Sequence, residues 1–519
     1  MSLRDEVGKL LNNSIHLCKE CGEAEEFYHI LLDMKKRLAM PLRVAVVGIM
    51  KAGKSTFMNA LLGADIVDTG TTETTYTVCW FKYAKEKSLT ICFDDGKEEN
   101  APFCDLAKWS NRLYKEQNPR IEHVKYIIIY YPSEVLKKIE FIDTPGLNSS
   151  YGKDAKNTKD FLALSGDANT RREASNADAI IYAFNRTLNE KDGETLRSFL
   201  AEQSVSPINS VGILTKADYL WEVGEAALPI DRAREVSEHI MSDHMIKSMI
   251  YSILPVSAKP VEGYVQLTKE DFGVLEKISE KSYDELEALL FSAKDFEQSE
   301  KKFLQEIGTK NQRKELMKKL SQYGIYEMVR LIKEGKKEEE LKSVLEEKCG
   351  IRAVEEMLLN HFGNRTFLLK SNYIFQHLRS YILWVKKSAD KQGTVSKSLQ
   401  NTCAMIELEI NRIISSVHVL QELEALQLYY NGQIKFYDED ERKDFLCIMG
   451  ENGRMPEQRL GMPMGSSVKE LEIAARRKHD IWNGRAADFM RDNSYISMAS
   501  IVARSYEYLY YHLNALVEE

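Results

Sequence analysis

Long apolar runs are missing from this 519-residue sequence, and no stretch reaches the roughly 18–20 residues that a bilayer-spanning helix requires. The opening MSLRDEVGKLLNNS is largely polar and has no signal-peptide core. Both absences lead to the expectation of a cytoplasmic chain, with membrane contact limited to the peripheral kind, on the inner face of the cell membrane. Positive charge is not in excess either: 71 Lys and Arg stand against 79 Asp and Glu, a net charge of −8. A protein that coats a nucleic-acid duplex carries the opposite sign, so no nucleic-acid partner is expected. Eight cysteines are present, but Cys18 and Cys21 alone are spaced as CxxC, without the second pair of ligands a zinc site needs. They read as small apolar residues that pack a helix. Proline is scarce, at 11, while Glu, Lys and Leu abound, which favours helix.

What is present is globular: 44% hydrophobic and 29% charged residues exclude wholesale disorder, and this length calls for two to four domains. Residues 4–38 carry Leu10, Leu11, Ile15, Leu17, Leu31, Leu32 and Met34 at helical spacing, which predicts one amphipathic helix ended by Pro41. From there to about 260, strands are expected at 43–47, 77–84, 88–93, 124–131, 139–142, 179–184, 210–214 and 252–257. Helices separate most of them, and several are continuous apolar runs suited to burial on both faces. The fold class is α/β, a doubly wound, mostly parallel sheet, followed by a large all-α region. The expected divisions are an N-terminal helix at 1–40, the sheet domain at 41–262, a helical extension at 263–365 and a stalk at 366–519. Within the stalk, the irregular stretch 431–467 reads as a connector between two long antiparallel helices, 366–430 and 468–517. Gly324 and Gly350 each look like a break before a new helix.

Four short motifs carry the chemistry. Gly48-Ile-Met50-Lys51-Ala52-Gly53-Lys54-Ser55-Thr56 fits GxxxxGK[ST] between a strand and a helix. Its backbone N–H groups would wrap phosphates, Lys54 would reach the β- and γ-phosphates, and Ser55 would ligate Mg²⁺. Asp143-Thr-Pro-Gly146 ends a strand, with Asp143 placed to hold Mg²⁺ through water and the Gly146 N–H to meet the γ-phosphate. Thr215-Lys216-Ala-Asp218 ends another. The acceptor-only Asp218 suits the N1 and N2 donors of guanine, which adenine lacks, and the stem of Lys216 can cover the base. Ser257-Ala258-Lys259 follows the last strand, where the Ala258 N–H can contact the guanine oxygen. In this order the four predict GTP or GDP with Mg²⁺. The hydroxyl-rich stretch Thr69–Thr77 lies where a switch loop should supply a threonine to the metal.

The segments GIMKAGKSTFMNALLG, DTGTTETTYTVCWFKY and FIDTPGL resemble the dynamin superfamily, above all its bacterial members, including the compact isoniazid-inducible type. The resemblance implies a P-loop GTPase domain with a helical stalk, hydrolysis of GTP, self-association through G domains, and often membrane contact at a helical tip. It assigns Gly48, Gly53, Lys54, Ser55 and Thr56 to phosphate and Mg²⁺, Asp143 and Gly146 to the γ-phosphate, and Thr215, Lys216 and Asp218 to the base. Register with that family's switch loop favours Thr72 as the metal-binding threonine, with Thr74 second. It also leads to the expectation that the N-terminal helix packs with the returning helix 468–517.

Ras-like enzymes place a water-orienting glutamine just after DxxG; here Leu147 and Asn148 follow. Catalysis must then come from other groups. Lys51 occupies the place where eukaryotic dynamins use a serine to help hold a monovalent cation and guanylate-binding relatives use an arginine, so its ammonium is the candidate charge near the β–γ bridge, beside Thr72 and Gly146. No pleckstrin-like domain or proline-rich tail is evident. The candidate membrane tip is 445–466, with Phe445, Leu446, Ile448, Met449, Met455, Leu460, Met462 and Met464, and the alternative reading is that these residues close the helix bundle. Arg476–His479 is a short basic cluster that meets headgroups or lies on a solvated helix face. Two functions follow: a self-assembling membrane GTPase acting on anionic lipid, or a soluble regulatory GTPase whose helical region binds a protein partner.

Overall fold

The structure is a computed structural model that describes residues 3–21, 24–48, 51–67, 77–111, 114, 116–144, 177–185, 209–224, 228–243, 246, 250–300, 302–359, 366–392, 396–430, 433–453 and 455–517. The N-terminal segment forms two helices rather than one, α1 (Leu3–Glu20) and α2 (Glu25–Leu38), with the break at Cys21–Ala24. Each helix then turns its own apolar stripe, Val7, Leu10, Leu11 and Cys18 on one and Phe27, Leu31 and Met34 on the other, into the same buried cluster.

The central sheet has nine strands: β1 (Leu42–Gly48), β2 (Val78–Tyr83), β3 (Ser88–Phe93), β4 (Glu98–Ala101), β5 (Val124–Tyr131), β6 (Ile139–Asp143), β7 (Ala179–Asn185), β8 (Ser210–Thr215) and β9 (Ser252–Pro255). Their order is β4-β3-β5-β2-β6-β1-β7-β8-β9. The run β6-β1-β7-β8-β9 is parallel, β2 joins β6 antiparallel and pairs with β5 in parallel, and β3 lies antiparallel to both β5 and β4. The apolar runs of β1, β7 and β8 are buried almost throughout, as parallel strands covered on both faces must be. The edge strand β4, Glu-Glu-Asn-Ala, has no apolar alternation and escapes sequence reading because its faces are mostly exposed.

Helix α3 (Lys54–Leu62) follows β1, and α4 (Ala258–Val265) follows β9. Four short helices, Lys269–Ser279, Tyr283–Leu290, Ala293–Gln298 and Lys302–Ile307, lead to α5 (Lys310–Lys333), which bends at Ser321 (φ 61°, ψ 174°) and runs through Gly324 without a break. Arg313 on α5 is buried and donates to the carbonyls of Phe296, Ser299, Leu304 and Gly308 at 2.5–3.0 Å, so one guanidinium closes the bends of the preceding short helices. Gly350 does precede a new helix, Ile351–Met357; its φ of 75° and the 2.5 Å a Cβ would keep from the Pro255 carbonyl both call for glycine.

The stretch 366–430 is three helices, α6 (Thr366–Gln392), α7 (Lys397–Ser416) and α8 (His418–Tyr430). Helices α1 and α2 pack on α6 and α7, and none of the buried residues in that cluster comes from 468–517. The expected partner is therefore replaced. The reason lies in 468–517 itself, which folds as a hairpin, α10 (Val468–Ala486) and α11 (Asn493–Val517). Its apolar faces, with Leu471, Trp482, Met498, Val502 and Tyr506, are used against each other and α8.

The connector 431–467 holds the helix α9 (Glu439–Ile448) and a short helix Pro456–Leu460. Phe445, Ile448, Met449 and Leu460 are buried and Leu446 and Met462 half-buried in the core, leaving Met455 and Met464 exposed. The Tyr251 hydroxyl of the sheet domain donates to Glu451, so this segment lies against that domain. The expectation of a membrane tip at 445–466 is thus corrected: most of its apolar atoms already have a partner.

The sheet domain meets the bundle through a buried polar joint. Arg37 Nε donates to Asp178 Oδ1 at 2.7 Å and Arg37 Nη1 to the Tyr373 hydroxyl at 2.9 Å, while Asp178 Oδ2 accepts from the Arg43 N–H at 2.9 Å. Lys370 Nζ donates to the carbonyls of Arg37 and Pro41 at 2.7 and 3.1 Å and to that of Met40, capping the end of α2. Burial pushes this ammonium down to about 8. Cys18 and Cys21 are buried beside Cys403, burial lifts the Cys18 thiol to about 12, and no metal-holding cluster occurs among the described residues.

Candidate nucleotide site

The four motifs follow the ends of β1, β6, β8 and β9, strands that run parallel, so all four reach the same edge of the sheet. In open α/β sheets that edge is where ligands bind. Gly48 pairs with Ala183 on β7, and a Cβ there would lie 2.2 Å from the Ala183 carbonyl oxygen, so β1 can leave the sheet here only as glycine. Gly53 (φ 80°) caps α3 and turns the chain into the helix, with Lys54 and Ser55 in its first turn. The phosphate loop is buttressed from across the sheet: the Thr215 hydroxyl lies 2.6 Å from the Ala52 carbonyl and 2.9 Å from that of Phe184. Thr215 therefore shapes the loop as well as introducing the base motif. Thr144, which sequence reading passed over, donates from its hydroxyl to the Val46 carbonyl at 3.0 Å.

Ser55 Oγ donates to Asp143 Oδ2 at 3.3 Å, and Lys54 Nζ donates to the Gly48 carbonyl at 3.3 Å. Asp143 is fully buried, its Oδ1 has no hydrogen-bond partner, and burial raises its carboxyl to about 6 against the opposing pull of Lys54 and Ser55. A buried carboxylate oxygen without a donor beside a serine hydroxyl is a donor set suited to a hard divalent cation, and these residues fit Mg²⁺.

At the other end, Lys216 adopts φ 59° and hands the chain to a short turn in which Asp218 is buried. The Ala217 N–H donates to the Val256 carbonyl and the Ser257 N–H to the Cys349 carbonyl, so the two base motifs are tied to each other and to the helical extension. Residues 44–217 match the model of the dynamin family. Residues 44–217 are thus a dynamin-like GTPase domain.

The dynamin-like chain is 25% identical over 499 residues to the isoniazid-induced protein IniC of Mycobacterium tuberculosis, covering 95% of both chains. It is 32% identical over 141 residues to dynamin-like protein 2 of Campylobacter jejuni (26% of this chain, 22% of that one). Against the bacterial dynamin-like protein of Nostoc punctiforme the figures are 34% over 117 residues, 21% of this chain and 17% of that one. The chain is a GTP hydrolase that binds guanine nucleotide.

Of the residues singled out from sequence, Gly48, Lys51–Thr56, Asp143, Thr215, Lys216, Asp218 and Ser257–Lys259 are placed at this edge. Met50, Thr72, Thr74 and Gly146 lie outside the described residues. Lys51 is exposed and holds φ 60°, a left-handed conformation that costs a non-glycine residue about 1–2 kcal/mol. Two buried polar residues had no motif to reveal them: Asn59 on α3 and Glu262 on α4. The one signal available was their polarity at positions that otherwise read as apolar helix faces.

Proposed function

We propose that this dynamin-like GTPase binds GTP with Mg²⁺, self-associates through its G domains, and couples hydrolysis to movement of its helical region at a membrane surface. The pairing of Ser55 with Asp143 carries the reading, because a buried, half-bonded carboxylate beside the phosphate-loop serine has a use once a metal and phosphates are bound. Mg²⁺, held by Ser55 and Asp143 and by Thr72 or Thr74, would neutralise charge on the phosphates. Lys54 binds the phosphates from α3, Asp218 selects guanine, and Lys51 holds positive charge beside the bridge where charge develops. Dimerisation rests on the family resemblance. The joint Arg37–Asp178–Tyr373 supports coupling, since Asp178 immediately precedes β7 of the G domain and the other two belong to the bundle.

No described helix is long and apolar enough to cross a membrane. The surface that supports peripheral contact is the turn between α10 and α11, where Phe489 and Met490 are 87% and 93% exposed. Two adjacent large apolar side chains this bare are unusual unless they meet an apolar partner. Buried Glu441, at the start of α9, holds Arg485 and Arg491 on either side of that turn, at 3.2 and 3.6 Å. Glu451, past the other end of α9, bonds the G domain, so the turn and that contact lie at opposite ends of the helix. In the basic cluster, Lys478 is paired with Asp444 at 2.5 Å, leaving Arg476 and Arg477 exposed.

The test is steady-state GTP turnover against protein concentration, with and without anionic liposomes, followed by sedimentation. Turnover per molecule that rises with concentration and with lipid, together with pelleting, is expected. Flat turnover without pelleting would replace this reading by the soluble switch with a protein partner.

A further inference from the structure

Asn59 is fully buried on α3, one turn past Lys54 and Ser55, and its carboxamide is used on both sides. Its Oδ1 accepts from the N–H groups of Ile66 and Val67 at 3.0 and 2.8 Å. Its Nδ2 donates to the Val67 carbonyl at 2.8 Å and to Glu262 Oε1 at 2.9 Å, with Asp65 Oδ1 farther away at 3.4 Å. The other oxygen of buried Glu262 accepts from Lys259 Nζ at 2.9 Å. Two acceptor sites and two N–H groups are thereby filled, so the side chain has one orientation and no spare capacity. In a dry interior such a network is stiff, because each broken bond leaves a buried polar group without water.

Val67 is buried and is the last described residue before the hydroxyl-rich stretch 69–77, and Lys259 belongs to the proposed base motif. We propose that Asn59 is a positioning residue that fixes both ends of the nucleotide site relative to Lys54 and Ser55. It acts through Val67 on the phosphate side and through Glu262 and Lys259 on the base side, without touching nucleotide itself. This rests on reading 69–77 and Lys259 as switch and base elements.

The experiment uses the full chain and an exchange of donor and acceptor. Asn59→Asp keeps the volume and the two bonds from Ile66 and Val67, but loses both donated bonds and sets a second carboxylate against Glu262. Its kcat for GTP should fall about tenfold or more, with KM within threefold. Adding Glu262→Gln restores the pair with donor and acceptor reversed, Gln donating to Asp, and should recover at least half of the lost kcat. An unchanged kcat in Asn59→Asp, or a double variant no better than the single one, overturns the proposal. If Asn59→Asp does not fold, Glu262→Gln alone is measured. Its carboxamide sets an NH₂ group against Asn59 or Lys259, so a kcat drop of several-fold is expected and wild-type kcat refutes the link. Lys259→Ala separates the two levels: if it leaves GTP KM and kcat unaltered, the base-site reading has failed, whereas an impaired Lys259→Ala beside a normal Asn59→Asp defeats this inference alone.

Discussion

Ser55, in the first turn of α3, and Asp143, the last residue of β6, are in contact, with the serine hydroxyl donating to one carboxylate oxygen at 3.3 Å and the other oxygen buried without a donor. Without metal, that arrangement costs stability. The rise of the carboxyl from 3.8 to about 6 amounts to ~3 kcal/mol above pH 6. The folded chain binds this proton more tightly than the unfolded chain, so stability of the metal-free protein should fall as pH rises from about 4 to 6 and then level off. Asp143→Asn removes the buried charge: it should flatten that profile, raise the melting temperature of the metal-free protein at pH 7.5, and abolish GTP hydrolysis. Thermal melts across pH 4–8, with and without Mg²⁺ and GDP, check all three.

Lys51 is the next group to remove. Lys51→Ala should lower kcat about 100-fold, as expected for several kcal/mol of transition-state stabilisation, while leaving GTP affinity within threefold. Lys51→Gly should lose kcat equally yet be more stable by about 1 kcal/mol, because glycine adopts φ 60° freely. Single-turnover kinetics beside melting curves separate the two effects, and a normal kcat in either variant removes Lys51 from catalysis.

The proposed base selection by Asp218 can be tested by substitution. In Asp218→Asn the acceptor-only carboxylate becomes an amide that cannot accept from both N1–H and N2–H, so GDP should bind about 100-fold more weakly. Xanthosine diphosphate, with a carbonyl where guanine has its amino group, should gain relative to GDP. Competition against a fluorescent nucleotide reads the ratio directly.

The hairpin turn makes a separate prediction. Phe489→Asp with Met490→Asp should cut pelleting with anionic liposomes at least tenfold, since each side chain contributes ~1.5–3 kcal/mol when buried in an apolar phase. Lipid-free turnover should be unaffected. Equal substitutions at Met455 and Met464, in the stretch that sequence alone favours, should leave pelleting intact.

Arg313 tests the helical extension. Arg313→Met leaves the carbonyls of Phe296, Ser299, Leu304 and Gly308 without their shared donor and should destabilise the protein by about 3 kcal/mol or more. Urea denaturation measures it, and a loss below 1 kcal/mol would mean the short helices hold their bends without the guanidinium.

The nucleotide site was legible in one dimension because its chemistry is local. A phosphate loop needs glycines, a lysine and a hydroxyl within a few residues, and each proposed base or metal contact follows a strand end, so spacing along the chain carries the geometry. Continuous apolar runs marked β1, β7 and β8 for the same reason: a parallel strand has both faces covered, and its sequence shows it. Which helix packs on which was not local. An apolar stripe says that a helix must be covered and leaves the partner open, so α1 and α2 could be matched with 468–517 on pattern alone, while packing gave them α6 and α7. The methionines of 445–466 show the same limit, since exposure is a property of the surroundings and not of the residue type. Asn59 and Glu262 are the sharpest case: 203 positions apart, they form one hydrogen bond that only the meeting of α3 and α4 creates. Sequence determined what could bind and react; tertiary structure decided what holds it in place and which apolar surface is left for a partner.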